Sequence, residues 1–217
     1  MPNNLDTQAL ATRSQIHLMR RFWHVACGLI CFALYYLTKT DLIFWAYACA
    51  IIALLGFVVD FKRAKDEKLN QVFSKFFGPI LRKSERLSFS GLPFYALGVS
   101  ISLFIYEKDI AILSILFLIF ADPIASIVGV YFGKDRLLPN KTLQGTIACF
   151  ISCFLLAIIY SYFQAAHPYY IIIFSFLAAM AGAIAEMLGA FNIDDNLVIP
   201  VLSGGVMTLL NYSFSVF

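Results

Sequence analysis

The chain has 217 residues, of which 61% are hydrophobic and 13% charged, with a formal net charge of +3. Soluble domains average about 45–50% apolar and about 25% charged residues, so this composition indicates an all-α polytopic membrane protein in one domain, residues 1–217. A transmembrane barrel would alternate apolar and polar residues, which these runs do not do; a nucleic-acid-binding chain would carry a contiguous basic face, whereas most cations here flank apolar runs.

Seven apolar runs fit the roughly 17–25 residues that cross a bilayer: residues 22–37, 42–59, 91–106, 110–132, 143–163, 169–191 and 197–214. Arg20-Arg21 before the first run resembles the start of a secretory signal. No small-residue cleavage site follows, and the run reads as a retained span. Cys27, Cys31, Cys49, Cys149 and Cys153 all fall inside runs without metal-binding spacing and read as packing residues. The polar stretch 60–88 carries Leu69, Val72, Phe73, Phe76 and Phe77 at helical spacing among lysines. That pattern is either an amphipathic helix at the interface or a solvated basic loop. Pro93, Pro123 and Pro200 lie within or at the edges of spans, where irregular backbone is tolerated only against protein or a cavity.

Alternating the seven spans collects Arg13, Arg20 and Arg21, then Lys62, Arg63, Lys65, Lys68, Lys75, Arg82, Lys83 and Arg86, then Lys134, Arg136 and Lys141 on one side. Only Lys39 and Lys108 of the 16 cations fall opposite. The positive-inside rule makes that side cytoplasmic, with the N-terminus inside and the C-terminus outside.

Against this apolar background the acids stand out. Asp122 lies in the middle of run 110–132, Glu186 inside run 169–191, and Asp194-Asp195 at its end. A carboxylate in hydrocarbon costs at least a few kcal/mol and persists only when paired, metal-bound or facing a polar cavity. Positions 122, 126, 129 and 133 share one helical face, leading from Asp122 through Ser126, Gly129 and Gly133 toward Lys134. Packing through small residues explains Ser126 and Gly129 but not Asp122. Residues 129–134 are not a P-loop, being one residue short and lacking the Ser/Thr and the preceding strand.

Asn140-Lys141-Thr142-Leu143-Gln144-Gly145-Thr146 opens the fifth span. Asn140 reads as its N-cap, and free amides at a helix start attract phosphate, beside the charge of Lys141 and the hydroxyls of Thr142 and Thr146. Glu186 sits among Ala178, Ala179, Ala181, Gly182, Ala183, Ala185 and Gly189, a small-residue helix that packs closely and puts the acid inside the bundle. Asp194-Asp195-Asn196 offers oxygen ligands which, with substrate phosphates, make a Mg²⁺ environment; the alternative is a solvated acidic turn. Arg21 and His24 share one face at the edge of the first span.

In this order the pieces resemble the polyprenol kinase family, comprising dolichol kinases, phytol and farnesol kinases and CTP-dependent diacylglycerol kinases. Four blocks carry the likeness: Arg21-Phe-Trp-His24-Val-Ala-Cys-Gly28; Ser90-Gly91-Leu-Pro-Phe-Tyr95-Ala-Leu-Gly98; Asp122-Pro123 through Gly133-Lys134 to Lys141-Thr142 and Gly145; and Glu186 followed by Asp194-Asp195-Asn196 and Pro200 to Gly204. Two positions depart from the pattern: Ala121 replaces a common Gly, and Gln144 a frequent Glu, which takes away a charged role there.

The resemblance implies a multispan kinase that phosphorylates a lipid alcohol at the cytoplasmic face with CTP and Mg²⁺ or another divalent cation. On the matching positions, Asp122 accepts the lipid's proton or binds metal, and Lys141 acts with it in catalysis. Glu186, Asp194 and Asp195 hold the metal. Gly129, Gly133, Lys134, Asn140, Thr142, Gly145 and Asn196 hold the nucleotide, with Arg21 and His24 accessory. The nearest rival is a cytidylyltransferase making CDP-lipid from phosphatidic acid. Its Lys-Asp with a nearby His-Gly-Gly is not matched by Ser203-Gly204-Gly205. A small cation- or proton-coupled transporter also explains intramembrane acids, but gives no reason for the clusters at 140–142 and 194–196 to gather on one side.

Overall fold

The structure, a computed structural model, describes residues 4–81, 85, 88–164, 166–191 and 193–217, and of residues 4–17 only the helical backbone. The expectations for Arg82, Lys83 and Arg86, and for the Arg13 side chain, lie outside the described residues. The chain is almost wholly helical: α1 (Asn4–Thr38), α2 (Leu42–Arg63), α3 (Glu67–Phe77), α4 (Gly91–Ile105), α5 (Lys108–Leu116) and α6 (Asp122–Phe132), then α7 (Leu143–Phe163), α8 (Ile171–Leu188) and α9 (Asp195–Phe214). Between α6 and α7 two short antiparallel strands, β1 (Arg136–Leu138) and β2 (Lys141–Thr142), form a small hairpin.

Six segments are long and apolar enough to cross a membrane: Leu18–Thr38, Leu42–Arg63, Lys108–Phe132, Leu143–Phe163, Ile171–Phe191 and Asp195–Phe214. The remaining expected crossing is α4, whose 15 residues span about 22 Å against a hydrocarbon core of about 30 Å. The fold is therefore the expected all-α polytopic membrane protein, with one short span.

Burial ranks the spans. Segment Lys108–Phe132 is 67% buried, against 11% for α1 and α2, so it is the axis of the bundle and the others surround it. Around it α7 packs on α6 and α8, α9 packs on α8, α4 and α5, and α2 lies outside α4. Buried Phe117, Leu118, Phe174, Ile199 and Met207 fill the core, while Ile51, Ile52, Leu54 and Leu55 of α2 point outward. An apolar exterior of this kind matches lipid as the surrounding solvent.

Connections at one end of the bundle are strongly polar. The Arg63 side chain at the end of α2 is wholly buried; its Nε donates to Asp60 Oδ1 at 2.6 Å, and its NH2 to the carbonyls of Glu85 and Ser88 at 2.8 and 2.7 Å. Asp60 Oδ2 accepts from the Ser90 amide and hydroxyl at 2.7 and 2.9 Å. One ion pair thus holds the return from α2 to α4 through donors and acceptors on both ends. Arg63 falls among the topology-setting cations of the sequence, yet its burial gives it an internal structural role. The Arg63 guanidinium also lies over the Phe73 ring at 4.6 Å, docking α3 beneath it.

The helical alternative for the 60–88 stretch is the one that forms. Asp66 caps α3 by accepting from the Lys68 and Leu69 amides, and Leu69, Val72 and Phe76 face outward. Because Arg63 is the counter-charge of the buried Asp60 carboxylate, removing it leaves that carboxylate uncompensated in the interior. We expect Arg63→Met to destabilise the protein by about 3–5 kcal/mol, read as a drop in thermal unfolding temperature in detergent. An unchanged transition would show that the ion pair carries no such weight.

Candidate functional site

The site begins with a distortion in the central span. Pro123 has no amide hydrogen to continue the helical ladder, and the turn before it, Phe117–Ala121, is π-helical. In a π-turn the partner of residue 123 would be the carbonyl of Leu118. That freed carbonyl accepts from His24 Nε2 at 2.9 Å. His24 is held edge-on against the Tyr95 ring, with centroids 4.6 Å apart. The helix is not broken at Pro123 but bulged and clamped by α1. Arg21, on the same face of α1, is buried as well. Asp122 follows the bulge, half-buried in the first turn of α6.

The hairpin supplies the basic partner. Asn140 adopts a left-handed φ of 69° and makes the turn between the strands, a conformation Asn tolerates better than most residues. It is therefore not the cap of α7. That cap is Thr142, whose hydroxyl accepts from the Gly145 amide at 3.2 Å. Gln144 joins the two sides, its Oε1 accepting from the Lys134 and Asp135 amides and its Nε2 donating to Asp135 Oδ2 at 2.8 Å. A glutamate at 144 could not make that last bond without a proton.

The three expected phosphate-cradling glycines face one another. A Cβ at Gly133 would meet Thr142 Cγ2 at 2.7 Å, and one at Gly145 would meet the Ala125 carbonyl at 2.9 Å and the Gly129 Cα at 3.2 Å. Gly129, Gly133 and Gly145 thus serve the close approach of α6 to the start of α7, with Thr142 filling the space between. Lys134 is exposed beside them on the hairpin.

Close packing aims Lys141 inward. Its Nζ lies 2.7 Å from Glu186 Oε1 and 3.2 Å from Asp195 Oδ2, joining α7, α8 and α9. Thr146 Oγ1 donates to Glu186 Oε2 at 3.4 Å. Burial opposes the charge on Lys141, but the carboxylates of Asp195 and Glu186, with Asp122 behind them, outweigh it and hold its pKa above the ordinary value. The ammonium is therefore protonated throughout the neutral range. Asp122 also lies within electrostatic range of Asp195 and His24. Four expected residues, Asp122, Lys141, Glu186 and Asp195, thus come together from segments far apart in the chain.

Others are placed differently. Asp194 caps α9 by accepting from the Asn196 amide at 3.0 Å, and Asn196 Nδ2 donates to the Gly91 carbonyl at 3.2 Å, tying α9 to α4. Among the described residues no three acidic, His or Cys side chains form a metal cluster, so Glu186, Asp194 and Asp195 are not a ready-made ligand set. Asp195 Oδ1 is nonetheless buried with no hydrogen-bond partner among the described residues. One ammonium among three carboxyl groups leaves an acidic excess that a divalent cation or a shared proton offsets.

Gly189 was read only as one more small packing residue. A Cβ there would lie 1.4 Å from Asp195 Oδ1, so the carboxylate occupies the place of a side chain; nothing in the sequence near 189 marks this. We expect Gly189→Ala to destabilise the fold, and Asp195→Ala to relieve much of that cost in the double variant. A double-mutant cycle by thermal unfolding should give a coupling of about 0.5–3 kcal/mol; additivity would show that the two positions do not meet.

Residues 7–192 match the cytidylyltransferase family. CTP-dependent diacylglycerol kinase 1 of Schizosaccharomyces pombe is 30% identical to the chain, the match covering 71% of it and 76% of that protein. The protein of the same name in Saccharomyces cerevisiae is 28% identical, over 90% of this chain and 73% of its own. That of Eremothecium gossypii is 29% identical, over 89% and 67% respectively. No solved structure matches. Since the family match takes in the Asp122 bulge, the hairpin, Lys141 and Glu186, and the similarity to the kinases runs through most of both chains, this chain belongs to the cytidylyltransferase family, as a relative of its CTP-dependent diacylglycerol kinases.

Proposed function

We propose that the chain is a membrane-embedded kinase that transfers the terminal phosphate of CTP to a lipid alcohol, diacylglycerol being the acceptor its relatives' names indicate. The observation that carries the reading is the convergence of Lys141, Glu186, Asp195 and Asp122 at one end of an apolar bundle. Phosphoryl transfer asks a protein chiefly for positioning and for cationic groups around a phosphate whose charge is spreading. A protonated lysine and an exposed lysine on an adjoining hairpin provide such groups.

In this reading the lipid hydroxyl attacks the γ-phosphorus. A P–O bond to the lipid forms as the β–γ bridging bond breaks, CDP leaves with that electron pair, and Asp122 accepts the hydroxyl proton. Lys141 transfers its attraction from Glu186 and Asp195 to the phosphate oxygens, and Lys134 holds the distal part of the nucleotide. Glu186 and Thr146 keep the Lys141 side chain aimed inward. Asp195, with its unsatisfied Oδ1, is the carboxylate that would hold Mg²⁺. Mg²⁺ characteristically takes one or two carboxylates plus substrate phosphates, and when bound it would supply charge neutralisation to the phosphates.

The site end carries Arg63, Lys134 and Lys141, members of the cation-rich segments of the sequence, which supports a cytoplasmic active site, on the side where nucleotides reside.

The family description keeps CDP-lipid synthesis as the second reading, and the position of label decides between them. With γ-labelled CTP and diacylglycerol, label should enter the lipid; with α-labelled CTP and phosphatidic acid it should not. Incorporation of α-label would sink the kinase reading. For the site, we expect Asp122→Asn to lower kcat by about 10²- to 10⁴-fold while leaving the unfolding temperature near that of the parent. Near-normal turnover would remove Asp122 from the role of base.

A further inference from the structure

A narrow cleft opens between α1, α4 and the start of α9. Its wall changes character along its depth. At one end Arg20 NH1 binds both carboxylate oxygens of Glu85 at 2.7 and 2.8 Å. Next to them stands Trp23, 44% exposed, a residue type enriched where membrane meets water. Further along lie Cys27, Leu92 and Tyr95. His24 and Asn196 also line the cleft; His24 is within electrostatic range of Asp122, and Asn196 is the chain neighbour of Asp195.

The Tyr95 hydroxyl is buried and has no hydrogen-bond partner among the described residues. Native structures rarely leave such a group unsatisfied. In a cleft that is polar at one end, apolar at the other and adjacent to the reactive carboxylates, a ligand oxygen is its natural partner.

Resting on the kinase reading, we infer that this cleft is the acceptor-lipid site, with the Tyr95 hydroxyl donating to an oxygen at the glycerol end of diacylglycerol. The acyl chains leave past Cys27 and Leu92 into the bilayer, and the reacting hydroxyl turns toward Asp122 behind His24. A second groove, between α7 and α8 and lined by Ile147, Met180 and Ile184, is the competing entrance. Apart from the Thr146 hydroxyl, already given to Glu186, its lining side chains are apolar, so it offers little to orient a lipid headgroup.

Tyr95→Phe separates ligand recognition from architecture, because it removes a hydroxyl that bonds nothing in the protein. The unfolding temperature should stay level or rise. The KM for diacylglycerol should rise about two- to tenfold, the loss of one neutral hydrogen bond, with the KM for CTP unchanged. An unchanged lipid KM would overturn the assignment. Photolabelling gives a readout independent of turnover. A diacylglycerol carrying a diazirine near the glycerol end of one chain should label peptides containing Trp23, Cys27 and Leu92, and excess unlabelled diacylglycerol should suppress that label. Labelling centred on Ile147, Met180 and Ile184, or labelling that diacylglycerol does not suppress, would overturn it. Failure of the kinase reading shows separately, as absence of lipid-dependent CTP turnover in the parent protein.

Discussion

The Lys141 ammonium, shared between Glu186 and Asp195, is the interaction on which the interior depends. Three helix ends meet at it, and none could carry its charge into the bundle alone. Removing the lysine would leave two carboxylates side by side in a poorly solvated place, and removing either acid would shift the full burden of compensation to the other. The arrangement also explains the small residues nearby. Gly129, Gly133 and Gly145 let α6 come close enough to the hairpin for Thr142 to cap α7, and that cap fixes where Lys141 starts. Gly189 leaves the volume that the Asp195 carboxylate fills. Packing and electrostatics are here one constraint, since a charge can be buried only where its partners are held at bonding distance.

A second layer of order comes from backbone groups that the prolines set free. Pro123 leaves the Leu118 carbonyl without its ladder partner, and His24 reaches across from α1 to satisfy it. The same contact seats α1, which otherwise turns apolar side chains to the lipid, against the central span. A histidine in this place is thus a positioning residue: it fixes the bulge, and the bulge fixes the direction of Asp122. The Asp60–Arg63 pair works similarly one layer out, gathering the carbonyls of Glu85 and Ser88 and the amide of Ser90.

How much of this was legible in the sequence follows from which physical effects act locally. The span Leu143–Phe163 was readable residue for residue because composition switches sharply at both ends. The polar first turns of α1 carry no apolar signal, so they were not. The acids were conspicuous because hydrocarbon penalises them wherever they occur. Their partner was hidden, because Lys141 looks like any lysine at a span end and its pairings reach across 45 and 54 residues. The hairpin, with strands of three and two residues, is too short for periodicity to reveal, and so Asn140 passed for a helix cap. Arg63 resembled its neighbouring cations until burial set it apart. Asp194 reads as a metal ligand from its pairing with Asp195, and in the structure one of its carboxylate oxygens caps α9; adjacent acids at a helix start are equally a capping signal.

For the proposed reaction, the geometry separates two substrates of opposite solubility. A nucleotide has to come from water, where the exposed hairpin and Lys134 stand. A lipid alcohol has to come from the bilayer, and the cleft between α1 and α4 opens beside Trp23 on the lipid-facing side of the bundle. Asp122 lies between the two approaches, directly after the bulge that His24 clamps. A hydroxyl held there would be deep enough to be shielded from competing water, yet close to the helix ends where a triphosphate can stop without entering hydrocarbon. Lys141 makes the meeting conditional. While its ammonium is engaged by Glu186 and Asp195 the acids are compensated, and when phosphate oxygens arrive they offer the same ammonium a competing partner of greater charge. In the proposed reaction Lys141 would thus pass from the acids to the donor phosphates, and Asp195, released from that contact, is the carboxylate that would hold a divalent cation and keep the buried charge balanced.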